Sequence, residues 1–304
     1  MNCFFSGTES HPVHVDVLPK ARIGQTKPPI IMLHGGFHTG AAWLATPDGR
    51  PGWARYFAQQ GHDVYVPDWP GHGRSPSPAP LEQLSTRQVA DAIAVLVAQV
   101  GPAVLLAHSA AGPVAWWIAE QFPASVLAVV GIAPGPPANL LEALPDDPAV
   151  VESLRFDSTH GCPVYSPLDA PTVADATFIR EFWANSPRFP KASIATYARS
   201  IVPESSRLLN ERFNIGGRGL RLLDPEVVRA KPILIVTGDH DLRHPKAVDG
   251  RLAEYLAADF VWLPDAGVAG NGHMLMIEEN SDDIAGIVNA WLTTQGACEW
   301  TQQG

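Results

Sequence analysis

The chain has 304 residues, of which 46 % are hydrophobic and 17 % charged. Average globular domains carry about 25 % charge, so this balance excludes a disordered chain and supplies ample material for a buried core. The 21 Lys and Arg oppose 31 Asp and Glu, a net charge of −10, which speaks against nucleic acid or an anionic membrane as partner, since both are bound through basic surface.

No apolar run reaches the roughly 18 residues of a transmembrane span. The opening run Met1, Asn2, Cys3, Phe4, Phe5 lacks the basic and apolar regions of a secretory leader. Three widely spaced cysteines, Cys3, Cys162 and Cys298, form neither a disulfide framework nor a zinc pattern, although a single bridge between Cys162 and Cys298 stays open. The expectation is a cytoplasmic protein.

Taken in chain order, six short apolar runs end in turn residues and read as strands buried on both faces: 29–33, 63–68, 103–107, 125–132, 232–236 and 260–263. Between them lie helical patterns. Over 86–100, Val89, Ile93, Leu96, Val97 and Val100 fall on one face, and Ser85 with Gln88 fits a capping box. Residues 247–257 and 283–292 show similar spacing. Strand and helix alternate, which predicts an α/β fold: a mostly parallel sheet with helices on both faces. Its ligands belong beyond the carboxyl ends of the strands. From about 135 to 228 the rhythm stops, and prolines cluster amid aromatic residues. That stretch is too long and too apolar for a structureless loop. It reads as a mainly helical cap inserted into a single domain spanning 1–304.

The chemistry gathers in the turns. Ala107-His108-Ser109-Ala110-Ala111-Gly112 follows a strand and opens a helix, the context of a nucleophile elbow, with Ala at both positions usually held by Gly. His34-Gly35-Gly36-Phe37 follows the first of the six strands. Its backbone, at Gly36 or Phe37, and the N–H of Ala110 would form an oxyanion hole. His273 sits in a glycine-flanked loop before the last helix and is the expected base, while His34 and His72 read as structural. The acid belongs to Thr237-Gly238-Asp239-His240-Asp241. Asp241 is preferred because it lies further from the strand end and can reach the His273 loop; Asp239 is the alternative, as a carboxylate that braces the turn. His240 and His244 also have the spacing of a zinc-binding helix, but Pro245 follows at once.

Together these residues resemble the α/β-hydrolase superfamily. The resemblance rests on HGGF at 34–37, DWPGHGRS at 68–75, AHSAAG at 107–112, TGDHD at 237–241 and NGHMLMIEEN at 271–280. TPDGRPGW at 46–53 and GHMLMIEENSDDIA at 272–285 further resemble a bacterial and fungal esterase subgroup. Some of its members carry the triad acid as Glu-Pro after strand six; here Ala133-Pro134 stands there. The resemblance implies a serine hydrolase for a small carboxylic ester or lactone, using Ser109, His273 and Asp241, an acyl-enzyme and no cofactor. Amide, thioester or C–C bond cleavage and perhydrolysis are alternatives on the same triad, and a non-catalytic binding protein is an alternative of another class. Trp183 and Phe182, in the cap, are the expected pocket residues.

Overall fold

The computed structural model describes residues 2–21, 27–77 and 80–299, and the backbone alone for 296–299. Two strands open the chain, β1 (Asn2–Gly7) and β2 (Pro12–Leu18). The six apolar runs follow as β3 (Ile30–Leu33), β4 (Val64–Asp68), β5 (Ala103–His108), β6 (Val126–Ile132), β7 (Ile233–Thr237) and β8 (Asp259–Trp262). Their order across the sheet is β1-β2-β4-β3-β5-β6-β7-β8. β2 pairs antiparallel with β1 and with β4, and the remaining pairs are parallel.

β1 and β2 were not anticipated, because they lack a continuous apolar run. In β2 polar residues alternate with valines. Val13 and Val15 enter the core on one face; on the other, His14 meets the Phe5 ring at 5.4 Å and Asp16 accepts from Arg74 Nη1 at 3.0 Å. That alternation is itself a strand signal.

The helix Thr86–Val100 begins at the expected capping box. Ser85 Oγ accepts from Gln88 N at 3.1 Å, and Gln88 Oε1 accepts from Ser85 N at 2.9 Å. The helices Lys246–Leu256 and Ser281–Glu299 cover the other two helical patterns. Among the described residues no helix is long and apolar enough to cross a membrane. Cys3 and Cys162 are free, so no bridge joins Cys162 to Cys298, whose side chain lies outside the described residues.

Between β6 and β7 the chain adds no strand to the sheet among the described residues. Its helices are short, the longest being Ser206–Arg212, because prolines recur along it and cannot occupy a helix interior. Isolated bridges tie Leu144 to Ile215 and Thr172 to Glu204. Phe182, Trp183, Phe189 and Tyr197 join the same buried cluster as Phe37, Met32 and Leu106. This packing seats the segment over the carboxyl ends of β3 and β5.

Candidate active site

Ser109 stands between β5 and the helix Ala111–Gln121 with φ at 53°. This left-handed conformation strains a residue with a Cβ and persists only where its surroundings enforce it. Ser109 N donates to Ile132 O at 3.1 Å; Ser109 O accepts from Gly112 N at 2.9 Å and from Gly135 N at 2.7 Å. The turn is tight enough that a Cβ at Gly112 would lie 2.2 Å from Gly135 O. Ala107 and Ala111, at the usual glycine positions, are fully buried without displacing the turn. The strict need for glycine falls one residue later.

The loops after β7 and β8 bring the other two groups to Ser109. Asp241 Oδ2 lies 2.6 Å from His273 Nδ1, and Ser109 Oγ lies 2.9 Å from His273 Nε2. The two loops run so close that a Cβ at Gly238 would stand 2.4 Å from Asn271 O. Asp239 turns away from the imidazole; its Oδ1 accepts from Gly270 N at 2.8 Å and Asn271 N at 3.1 Å, bracing the His273 loop. At the end of β6, Ala133 offers no carboxylate.

Burial alone would raise the Asp241 carboxyl, but the neighbouring His273 and His244, with hydrogen bonds from His273 and Arg243 N, outweigh it and hold it below the usual carboxylate range. Burial pushes His273 below the ordinary imidazole value, with Asp241 opposing. At neutral pH the imidazole is therefore neutral, its Nδ1–H directed at Asp241 and its Nε2 free to accept from Ser109.

The N–H groups of Gly36 and Ala110 have no acceptor among the described residues. Phe37, the other expected oxyanion donor, gives its N–H to Glu204 Oε2 at 2.9 Å. Phe37 O accepts from Val202 N at 2.9 Å, so the β6–β7 segment clamps both polar groups of this residue. Phe37 is thus corrected from donor to anchored neighbour, and Gly36 remains. His34 Nε2 accepts from Trp69 N at 3.0 Å, and His72 Nε2 lies 3.1 Å from Glu204 Oε2; both brace the loop.

Trp183 is buried against Phe37 and His38, with ring centroids 5.4 and 5.0 Å apart. Phe182 is buried beneath Arg243, whose Cζ lies 4.6 Å from the ring centroid. His240 and His244 do not share a helix: residues 239–244 form turns, His240 is exposed and His244 Nδ1 lies 2.9 Å from Asp249 Oδ1. Ligand atoms of Asp241, His244 and His273 lie within 4.8 Å of one another. The Asp241–His273 separation is nonetheless that of a hydrogen bond, shorter than the about 3.3 Å between two donors on a tetrahedral cation.

Several supporting residues escaped the sequence reading. Glu278 accepts from Gly272 N at 2.8 Å and Asn271 Nδ2 at 2.6 Å, and also from Ser186 Oγ. Arg50 reaches Glu278 O at 3.0 Å, Ile277 O at 3.3 Å and Ser281 Oγ at 3.2 Å. The runs TPDGRPGW and GHMLMIEEN, far apart in sequence, therefore interlock behind His273. Asp68 accepts from Gly40 N at 2.7 Å and Arg74 N at 3.0 Å, holding DWPGHGRS against the loop after β3. Glu204 lies in no recognisable pattern, and only its burial against Phe37 and His72 marks it.

A doubly wound sheet with an elbow serine after β5, a carboxylate after β7 and an imidazole after β8 defines a hydrolase of the α/β class. The family model described as alpha/beta hydrolase fold matches residues 28–279, and the chain belongs to that family. Curated relatives include a protein named probable secreted lipase phiG from Fungal sp. (strain ATCC 74256), 26 % identical over 88 % of this chain and 82 % of the relative. Protein ABHD8 of Homo sapiens is 25 % identical over 88 % of this chain and 56 % of its own length, so the chain spans just over half of it. Among solved structures, the esterase EaEST from Exiguobacterium antarcticum superposes with a TM-score of 0.67 at 15 % identity, covering 96 % of this chain and 100 % of that one. The thioesterase domain from the curacin biosynthetic pathway gives 0.61 at 18 %, covering 95 % and 99 %. At such identities these likenesses are of fold.

Proposed function

We propose that the protein is a serine hydrolase that cleaves a carboxylic ester or lactone through Ser109, His273 and Asp241. The observation that carries this reading is the unbroken hydrogen-bond path from Asp241 Oδ2 through His273 to Ser109 Oγ, ending on a serine held at φ 53°. The Ser109 hydroxyl gives its proton to His273 Nε2 as Oγ bonds to the carbonyl carbon. Negative charge then develops on the carbonyl oxygen, which accepts from the N–H groups of Ala110 and Gly36. Asp241 fixes the tautomer and stabilises the imidazolium. The intermediate collapses, the C–O bond to the alcohol breaks, and His273 returns the proton to the leaving oxygen. Water next gives a proton to His273 and adds to the acyl-enzyme, whose collapse frees the acid and restores Ser109.

The segment at 135–228 acts in this reading as the cap that shapes the substrate pocket, with Trp183 and Phe182 shaping it from behind. The free Cys3 and Cys162 support a cytoplasmic location, whereas the relative phiG is named as secreted. A panel of esters, lactones, thioesters and amides, run on wild type and Ser109→Ala, tests the function. Turnover of esters or lactones ahead of the rest, lost in the variant, together with fluorophosphonate labelling of Ser109, is the expected result. Labelling at another residue, or equal turnover by the variant, overturns it.

A further inference from the structure

Next to the candidate site lies a cavity of about 180 Å³. Phe37 lines it from the loop after β3 and Arg243 from the loop after β7, while Phe178, Leu209 and Phe213 close it from the β6–β7 segment. Phe37 adjoins the oxyanion donor Gly36, and Arg243 is two residues beyond Asp241. The cavity therefore touches two of the loops that meet at Ser109.

The walls are mostly apolar, yet they hold polar atoms without partners. Arg243 Nε and Nη2, Arg155 Nε and Ser166 Oγ are all shut off from solvent with no hydrogen-bond acceptor or donor. Ser166 is fully buried. Leaving such a group unpaired costs the loss of its hydration, and folded proteins leave few. Arg155 is partly neutralised, its Nη1 and Nη2 lying 3.5 Å from Glu152 and 3.6 Å from Glu181. Asp175, also in the wall, is exposed and spends Oδ1 on Phe178 N.

Arg243 has no such relief. Its Cζ stands 4.6, 5.0 and 5.6 Å from the ring centroids of Phe182, Phe178 and Phe213, and its side chain has no carboxylate or carbonyl partner among the described residues. Stacking on aromatic faces accounts for where the guanidinium lies; Asp241 is a nearby opposite charge and Arg212 a nearby like charge, and neither is hydrogen-bonded to it. Nε and Nη2 are occluded, whereas Nη1 keeps accessible surface and has no partner among the described residues, so Nη1 is the donor that a carboxylate in the cavity meets first. Burial lowers the group to about 10, so it is charged at neutral pH. On its other side a cavity of about 60 Å³, bordered by Arg212 and His244, has room for about two waters. The larger cavity is the one of ligand size.

We propose that this cavity receives an anionic end of the substrate, so that the preferred ester or lactone carries a free carboxylate that pairs with Arg243. The proposal rests on the serine-hydrolase reading above and narrows its substrate class. The unpartnered donors of Arg243 match a carboxylate, and the apolar walls match a short hydrocarbon chain between that carboxylate and the scissile carbonyl.

The test compares mono-p-nitrophenyl succinate, glutarate and adipate with neutral p-nitrophenyl acyl esters of equal length. Wild type is expected to favour at least one acid ester by about tenfold or more in kcat/KM, the worth of a charge-assisted hydrogen bond. In Arg243→Gln the ratio of acid to neutral ester falls to one or below, mainly through KM, and Arg243→Lys restores part of it. As a measurement independent of these variants, glutarate protects wild-type Ser109 from fluorophosphonate labelling more than the uncharged dimethyl glutarate does. A wild-type ratio at or below one for every chain length, or a ratio unchanged in Arg243→Gln, overturns the proposal while leaving the hydrolase reading intact. No labelling of Ser109 and no turnover of either series overturns both.

Discussion

At the carboxyl ends of the strands, Ser109, His273, Asp241, Asp239 and Glu278 all have hydrogen-bond partners in the loops beside them. In the cavity beneath the β6–β7 segment, Arg243, Arg155 and Ser166 keep polar atoms with none. The two regions share Arg243's loop and differ in what completes them. The first is finished by the fold itself; on the proposed function its groups are aligned before any substrate arrives, and little reorganisation is needed during the reaction. The second, on the reading above, is finished by a ligand. Machinery common to many ester cleavages can be rigid, whereas recognition of one substrate keeps its strongest donor in reserve.

On the proposed function, removing the Ser109 hydroxyl breaks the finished region most severely. Ser109→Ala is expected to lower kcat by about 10³-fold or more while thermal unfolding stays close to wild type, because Ala keeps the steric character of Ser at φ 53°. Retention of a tenth of the activity would sink the assignment. Next comes the acid. Asp241→Asn is expected to lower kcat by about 10²–10⁴-fold, and Asp239→Asn by much less, since its Oδ1 accepts two backbone N–H groups and an amide oxygen can still accept them. If Asp239→Asn proves the inactive one, the roles are reversed. The same imidazole sets the acid limb of the pH profile. Because burial depresses His273, with Asp241 opposing, the base stays deprotonated to lower pH than an exposed histidine. The fall in kcat/KM on acidification is expected below about pH 6.5; a midpoint above that value contradicts a depressed His273.

A smaller loss is expected at Glu278→Gln. One of its two oxygens becomes an NH₂ that must face Asn271 Nδ2 or Gly272 N, both donors. The His273 loop shifts, and kcat falls by about 10–100-fold with KM changed less; an unchanged kcat would mean that the loop is held without this carboxylate. Smallest for activity is Arg50→Ala, which removes the guanidinium bonds to Ile277 O and Glu278 O. It is expected to destabilise by about 2 kcal/mol, read as a lower Tm, with the ester specificity of the folded enzyme unchanged. A variant that keeps its Tm but changes specificity would move Arg50 from the frame to the recognition region.

Much of the finished region is legible in sequence because it is made of local patterns. A strand, a tight turn and a helix in order are enough to expose Ser109, and glycines beside His34 and His273 mark where loops approach the sheet closely. The same logic stops short at Phe37. Local sequence offers the N–H of Gly36 or of Phe37, and that of Phe37 is taken by Glu204, which is 167 residues away. Arg243 was passed over for a similar reason. In sequence it is one cation in a turn, and nothing nearby reveals that three phenylalanines from the β6–β7 segment surround it.

The sequence by itself determined the class of fold, the six strands, of which only β8, at the sheet edge, proves half-exposed rather than buried, the order of Ser109, Asp241 and His273 along the chain, and the choice of Asp241 over Asp239 as the carboxylate that meets His273. These follow from periodicity, turn chemistry and reach, which act over a few residues. Only the tertiary structure decided that Phe37 N–H belongs to Glu204, that Arg50 and Glu278 lock the His273 loop, and that Arg243 is half-buried with Nε and Nη2 unpartnered. Each of these is a matter of which groups meet after long-range burial, and the free energy of a polar atom depends on that meeting: a donor that water satisfies at the surface goes unpaired where apolar side chains cover it.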